Sequence, residues 1–331
     1  MTPLVSVVIA SDRVSETLPA CLDSLDRQEG APPFEVLVAS SAAPAPAEYS
    51  FPVEWVRVDS RNPATRRNAG VRGSRGAVIA FLDDDAQAEP GWLAAGARAV
   101  ARSEVAGGPD LGPEGAPYTE RISDLLLATP WIGSGVPAHE RRPAAGSVSA
   151  PHDVALCNLF IRREAFESLG GLDESLGYVG EDTDLVRRAL ERGMSVRLDP
   201  DVRVRHRRRP FPARYLAQRW RYRVKTGRLL VERPGTYGRG RIAAFLSAGF
   251  LVTGAAAIGG GAVLLPAIGG YAAVTWILSF PIWRRDLLLF PAVPFAFALH
   301  HATYFAGLLA GIARGLLTKS SAAISAATTA R

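Results

Sequence analysis

The chain has 331 residues, is 48% hydrophobic and 21% charged, and carries a net charge of +6; it has room for about two domains and excludes wholesale disorder. Residues 1–201 hold 19 basic and 30 acidic side chains, residues 202–241 hold 14 basic and one acidic, and residues 242–331 hold five basic and one acidic. An acidic head, a basic neck and an apolar tail argue against a simple soluble globule. Two cysteines, Cys21 and Cys157, exclude a disulfide framework, and without a CxxC or His/Cys cluster a structural zinc site is not expected.

The first residues show no basic segment ahead of a long apolar run, so no signal peptide is expected and the head is expected to stay in the cytosol. Residues 5–9 have strand character, and Leu18, Cys21, Leu22 and Leu25 mark a helix over 16–28. Further strands are predicted at 34–38, 53–58 and 78–82, with a helix over 62–74. This βαβ rhythm predicts an α/β domain with a mainly parallel sheet flanked by helices, its ligands outside the carboxyl ends of the strands. A dinucleotide site is excluded: Ala10-Ser11-Asp12-Arg13 follows the first strand in place of G-x-G-x-x-G, and no Walker loop is present.

The strand at 78–82 delivers Asp83-Asp84-Asp85 to that edge. Three adjacent carboxylates repel one another unless a cation lies between them, and Mg²⁺ or Mn²⁺ is typically held by one or two of them with substrate phosphates. A solvated acidic turn is the alternative. Residues 106–151 are rich in Gly, Pro and Ser, with a short helix expected over 118–127, and are read as an acceptor-site flap. Gly180-Glu181-Asp182-Thr183-Asp184-Leu185 then opens a helix. Its carboxylates complement the helix dipole, or one of them serves as a general base for an incoming hydroxyl.

In the neck, Leu216, Trp220 and Val224 recur every four residues among arginines. This predicts a basic amphipathic helix on an anionic membrane surface, a better reading than a nucleic-acid patch because an apolar run follows. Residues 242–283 carry no charge, room for two spanning helices at 242–262 and 266–283; a third is read at 287–312. His300 and His301 within it are expected to face the bundle interior or a polar cavity, and Gly307-x-x-x-Gly311 allows close helix approach. The basic neck places its side of the multi-pass region in the cytoplasm.

Together, residues 5–209 resemble the family 2 glycosyltransferases of GT-A fold. The matching elements are residues 5–9, Arg67-Asn68-Ala69-Gly70, Phe81-Leu82-Asp83-Asp84-Asp85-Ala86, Pro90-Gly91-Trp92-Leu93, Asn158-Leu159-Phe160-Ile161-Arg162-Arg163, Gly170-Gly171-Leu172-Asp173-Glu174, Gly180-Glu181-Asp182-Thr183-Asp184-Leu185 and Val204-Arg205-His206. The tail is similar to bacterial members that extend lipid-linked or exported polysaccharides. The resemblance implies a GT-A catalytic domain over 1–209, a basic interfacial segment over 210–241 and a transmembrane region over 242–331 in the cell membrane, with the catalytic domain cytosolic.

It also implies inverting transfer of a single sugar from a nucleotide-diphospho-sugar to a lipid-linked or glycan acceptor. Asp83 and Asp85 would form the D-x-D element for Mg²⁺ or Mn²⁺, with Asp85 the direct ligand and His206 a further metal contact. Asp182 would be the base and Glu181 its orienting partner. Ala10, Asp12, Arg66, Arg67, Asn68, Asp83 and Asp84 would contact the donor, and Asn158 and Trp131 would lie on the acceptor side. A surface salt bridge explains Arg66 equally well, and His206 reads equally as an ordinary residue of the neck. Two departures stand out: Ala39-Ser40-Ser41 replaces an Asp that often contacts the base, and Gln218-Arg219-Trp220 lacks the Q-x-x-R-W spacing of processive synthases. A polyprenyl-phosphate sugar synthase and a catalytically silent nucleotide-sugar-binding membrane scaffold are the competing readings.

Overall fold

The computed structural model describes residues 5–12, 15–42, 48–130, 132–133, 136–139, 144–148, 150–233 and 265–329. The chain divides into two compact units, Met1–Glu114 with Val136–Arg207, and Gly115–Gly135 with Arg208–Arg331.

The first unit is an α/β domain. In chain order it contains β1 (Val5–Ala10), α1 (Leu18–Asp26), β2 (Phe34–Ser40), β3 (Val53–Arg57), α2 (Pro63–Gly73), β4 (Val78–Asp83), β5 (Ala86–Ala88), α3 (Trp92–Val100), β6 (Val105–Gly107) and β7 (Asp110–Leu111). The strands and helices expected in this stretch are found within a few residues of their anticipated ends. After the return of the chain come β8 (Gly146–Ser147), β9 (Asn158–Arg162), α5 (Arg163–Ser168), α6 (Glu181–Glu191), β10 (Val196–Leu198) and β11 (Val204–His206).

Eight strands form one sheet in the order β3-β2-β1-β4-β9-β6-β10-β8. β1, β2, β3 and β4 pair in parallel, as do β6 and β10, whereas β9 is inserted antiparallel between β4 and β6 and β8 lies antiparallel at the edge. Both faces are covered, so the central strands read as continuous apolar runs. Val7 and Ile9 pack with Leu18, Cys21 and Trp92 on one face, while Val8 packs with Ile79, Phe81 and Leu185 on the other. A Cβ at Gly70 would stand 2.6 Å from Val8 Cγ1. This glycine of the Arg-Asn-Ala-Gly element therefore lets α2 lie close on β1.

A second, three-stranded sheet has the order β5-β11-β7. Its register sets His206 opposite Ala86 and Val204 opposite Asp110. Within the segment read as a flap, β6 and β8 belong to the large sheet and β7 to the small one.

The second unit is helical: α4 (Tyr118–Ala128), α7 (Ala213–Glu232), α8 (Leu265–Trp283) and α9 (Val293–Thr329). The expected helix at 118–127 is α4, and it groups with the C-terminal helices. Ile122, Leu125 and Leu126 share a core with Phe211, Tyr215, Ile282, Leu289, Val293 and Phe297. Ser123 Oγ donates to Arg209 O at 2.7 Å and Arg208 Nε to Asp124 Oδ1 at 3.1 Å.

Two segments, Leu265–Trp283 and Leu287–Lys319, are long and apolar enough to cross a membrane; they correspond to the spans read at 266–283 and 287–312. The span read at 242–262 lies outside the described residues. Large apolar side chains on both, including Ile277 at 69% and Leu317 at 68% exposure, face outward. The two histidines face inward: Tyr215 Oη pairs with His300 Nδ1 at 2.9 Å, and Tyr271 Oη with His301 Nδ1 at 2.8 Å.

Gly307, Gly311 and Gly315 of α9 face α7. A Cβ at Gly311 would lie 2.2 Å from Val224 O, and one at Gly227 of α7 would lie 2.3 Å from Leu308 O. Small residues at this seam let the two backbones meet. Trp220 and Val224, read from sequence as part of a stripe for a lipid surface, thus carry backbone that abuts α9, although the Trp220 ring is 39% exposed.

Candidate active site

The carboxyl ends of β1 and β4 lie side by side, with Ala10 opposite Asp83 in register. This brings Ser11 and Asp12 beside the three aspartates. Ser11 Oγ donates to Asp84 Oδ2 at 2.6 Å, and burial pushes the Asp84 carboxyl above its ordinary range despite that bond. Arg66, almost wholly buried, reaches Asp12 Oδ1 at 2.7 Å. The pair joins two of the residues expected at the donor.

Arg67 projects from α2 into the centre of the site. Its Nη2 donates to Asp83 Oδ1 at 2.7 Å and its Nη1 to Glu181 Oε1 at 3.2 Å. The planar, five-donor guanidinium suits a bridge between two carboxylates. Glu181, in the first turn of α6, is buried; desolvation first, then the neighbouring Asp182, pushes its carboxyl up to about 7. Asp182 is half-buried and accepts from Thr183 N at 2.6 Å. The D-x-D aspartate and the Glu-Asp pair, nearly a hundred residues apart, are thus parts of one constellation.

His206 completes it. At the end of β11, its Nε2 lies 3.0 Å from Asp85 Oδ1 and its Nδ1 lies 3.3 Å from Asp110 Oδ2. Burial opposes charging the ring, but Asp85 and Asp110 outweigh it and hold the imidazole well above the usual histidine range. Asp83, Asp85 and His206 each offer one ligand atom, and these atoms lie within 4.8 Å of one another. Two carboxylates and an imidazole suit Mn²⁺, and the carboxylates suit Mg²⁺. The donor set fits such an ion.

Two expected contacts have other work. Asn158 is fully buried: it accepts from Trp92 Nε1 at 2.7 Å and donates to Pro109 O at 3.2 Å and Val202 O at 2.7 Å. With its amide spent on three internal partners it joins β9 to the segments before β7 and β11. Asn68 is likewise committed: Nδ2 donates to Leu172 O and Glu174 Oε1, each at 2.9 Å, while Oδ1 accepts from Leu172 N. It anchors the Gly-Gly-Leu-Asp-Glu loop. Trp131 lies outside the described residues.

Asp110 and His139 went unnoticed in the sequence. His139, in the 3-10 turn Pro137–His139, places Nδ1 2.5 Å from Asp110 Oδ1. No motif marks either residue; the tripeptide Gly-Gly-Pro before Asp110 was the sole local signal of a special backbone.

Residues 78–310 match the model of glycosyl transferase family group 2. The chain belongs to that family. As a family 2 glycosyltransferase it is similar to the O-antigen biosynthesis protein RfbC of Myxococcus xanthus, 28% identical over 229 residues that cover 62% of this chain and 17% of RfbC. It is also similar to the glycosyltransferase AglE of Haloferax volcanii, 25% identical over 63% of this chain and 68% of AglE. A third relative is the succinoglycan biosynthesis protein ExoM of Rhizobium meliloti, 30% identical over 56% of this chain and 59% of ExoM. The chain thus spans 17% of the length of the first of these relatives and about two thirds of the second. Among solved structures, a mannosyltransferase from Pyrobaculum calidifontis in complex with GDP-Man and Mn²⁺ superposes with a TM-score of 0.54 at 19% identity, covering 91% of this chain and 88% of that one. That likeness establishes the GT-A fold for this glycosyltransferase.

Proposed function

We propose that this glycosyltransferase of glycan biosynthesis moves one sugar, with inversion, from a nucleotide-diphospho-sugar to a lipid-linked acceptor at the cytosolic membrane face. The observation that carries the reading is the convergence of Asp83, Asp85 and His206 within 4.8 Å at the carboxyl edge of the sheet, with Arg67 bridging Asp83 to the Glu181-Asp182 pair. The P. calidifontis neighbour, solved in complex with GDP-Man and Mn²⁺, supports a donor of this class.

Asp83, Asp85 and His206 would hold Mg²⁺ or Mn²⁺, which when bound neutralises charge developing on a departing diphosphate. Arg67 keeps Asp83 and Glu181 in fixed relation and lends positive charge to that edge. Asp182, the half-buried member of the acidic pair, accepts the proton of the acceptor hydroxyl as it attacks. Glu181, buried and tied to Arg67, holds the first turn of α6 so that Asp182 faces the reacting atoms. Arg66 and Asp12 flank the donor side at the end of β1. The two apolar segments and the basic residues of α7 support anchorage in an anionic membrane, where tethering raises the effective concentration of a lipid-linked acceptor.

The test is sugar transfer by detergent-solubilised protein across a panel of nucleotide-sugars, with and without Mn²⁺ or Mg²⁺. Transfer that requires the cation and vanishes in Asp85→Ala supports the reading; full activity of Asp85→Ala, or activity untouched by chelation, overturns it.

A further inference from the structure

We infer that Asp110 is a positioning residue of the cation site, fixing the ring of His206 from behind and tying it to the 136–139 segment through His139. This rests on the metal reading proposed above and adds to it a residue that belongs to none of the recognised motifs. Asp110 is 1% exposed, and its two oxygens divide their partners. Oδ1 lies 2.5 Å from His139 Nδ1, while Oδ2 lies 3.3 Å from His206 Nδ1 and accepts from Cys157 Sγ at 3.5 Å.

The placement follows from the small sheet. β7 and β11 run in parallel with Val204 opposite Asp110, and β11 pairs on its other side with β5, directly after Asp85. His206 is therefore clasped between a carboxylate on each side, one at the open edge and one buried. With an ion in place of the Nε2 proton, a carboxylate on Nδ1 would keep the remaining proton there, the arrangement by which a ligating histidine is oriented and made more basic. The Cys157 thiol donates to the same carboxylate.

Asp110, Cys157 and His206 also cluster tightly enough to suggest an ion of their own. One feature favours the positioning role: a second ion on Nδ1 would require one imidazole to bridge two metals.

The experiment is Mn²⁺ binding to the full chain in detergent, read by the electron paramagnetic resonance of free Mn²⁺, with no sugar transfer involved. The wild type is expected to bind one ion, Asp110→Asn to bind it ~10–100-fold more weakly, and His139→Gln to show a smaller loss. Nitrogen-15 histidine spectra with Mg²⁺ should show a strongly hydrogen-bonded Nδ1–H on His206 in the wild type and a weakened one in Asp110→Asn. Unchanged Mn²⁺ affinity in Asp110→Asn overturns this inference alone. Two ions per chain, one of them lost in Cys157→Ser, overturns it in favour of a separate site. A wild type that binds no Mn²⁺ overturns the metal reading and this inference with it. Should Asp110→Asn fail to fold, His139→Gln decides: wild-type affinity there removes the proposed tie.

Discussion

Arg67 Nη1 meets Glu181 Oε1 at 3.2 Å across 114 residues of sequence, joining α2 to the first turn of α6. The same guanidinium holds Asp83 at 2.7 Å. Neither partner of the Glu181 pair is more than a tenth exposed, so above the pH of about 7 at which Glu181 gives up its proton, removing Arg67 leaves a buried carboxylate stranded.

Arg67→Ala is expected to lower stability by about 3–5 kcal/mol, the usual result of breaking a buried pair from one side. Arg67→Lys should recover part of this at most, because an ammonium does not span both carboxylates. Thermal unfolding of the purified variants checks both statements.

Glu181 gives the protein a pH signature. Its carboxyl takes up a proton at about 7 in the folded chain against an ordinary value of 4.5, so between these limits the folded state holds the extra proton. Its contribution to stability is whole below about pH 4.5, is lost as pH rises through 7, and is flat above. Unfolding temperatures of wild type and Glu181→Gln measured from pH 5 to 8 should diverge, with the wild type losing more as pH rises; parallel curves would contradict the assignment.

Asp182→Asn is expected to reduce turnover by ~10²–10⁴-fold if it removes the general base, with donor binding retained. A nearly normal rate would indicate an acceptor whose nucleophile needs no base, such as a phosphate oxygen.

Asn158→Ala separates structure from recognition. It leaves Trp92 Nε1, Pro109 O and Val202 O without the amide that serves them, and each buried group so stranded costs about 1–3 kcal/mol. Stability should fall while the KM for acceptor in the surviving folded protein stays unchanged. A selective rise in KM would restore Asn158 to the acceptor side.

Gly311→Ala inserts a methyl group 2.2 Å from Val224 O and 2.9 Å from Gly227 Cα, and is expected to destabilise by about 1–3 kcal/mol through overpacking. Gly269→Ala on α8, with nothing within 4 Å of its Cβ, is the neutral comparison. Thermal unfolding in one detergent distinguishes the two.

Much of this is legible in the sequence. Val5 to Ile9, Val36 to Val38 and Val78 to Leu82 are apolar without alternation because both faces of their sheet are covered, so period and position in the chain sufficed to name a layered α/β fold. The aspartates were legible too, since a strand ending in three carboxylates delivers them where such sheets bind ligands. His206 was legible as a further metal contact only through the resemblance, since the neck offered an ordinary basic residue as an equal reading, and the internal bonds of Asn68 and Asn158 were not legible at all. An amide reads the same in sequence whether it faces a sugar or a buried carbonyl.

The linear pattern alone was enough for the chain to commit to an acidic α/β head, an arginine-rich neck and apolar helices, because hydrophobic period and charge segregation are local properties. Which side chains meet was decided in three dimensions. Strands of two or three residues, β5, β7 and β11, carry too little pattern to announce themselves, yet their pairing brings positions 85, 110 and 206 together. Arg67 finds Asp83 and Glu181 by the packing of α2 against β1, for which the missing side chain of Gly70 makes room, and no spacing along the chain encodes that meeting.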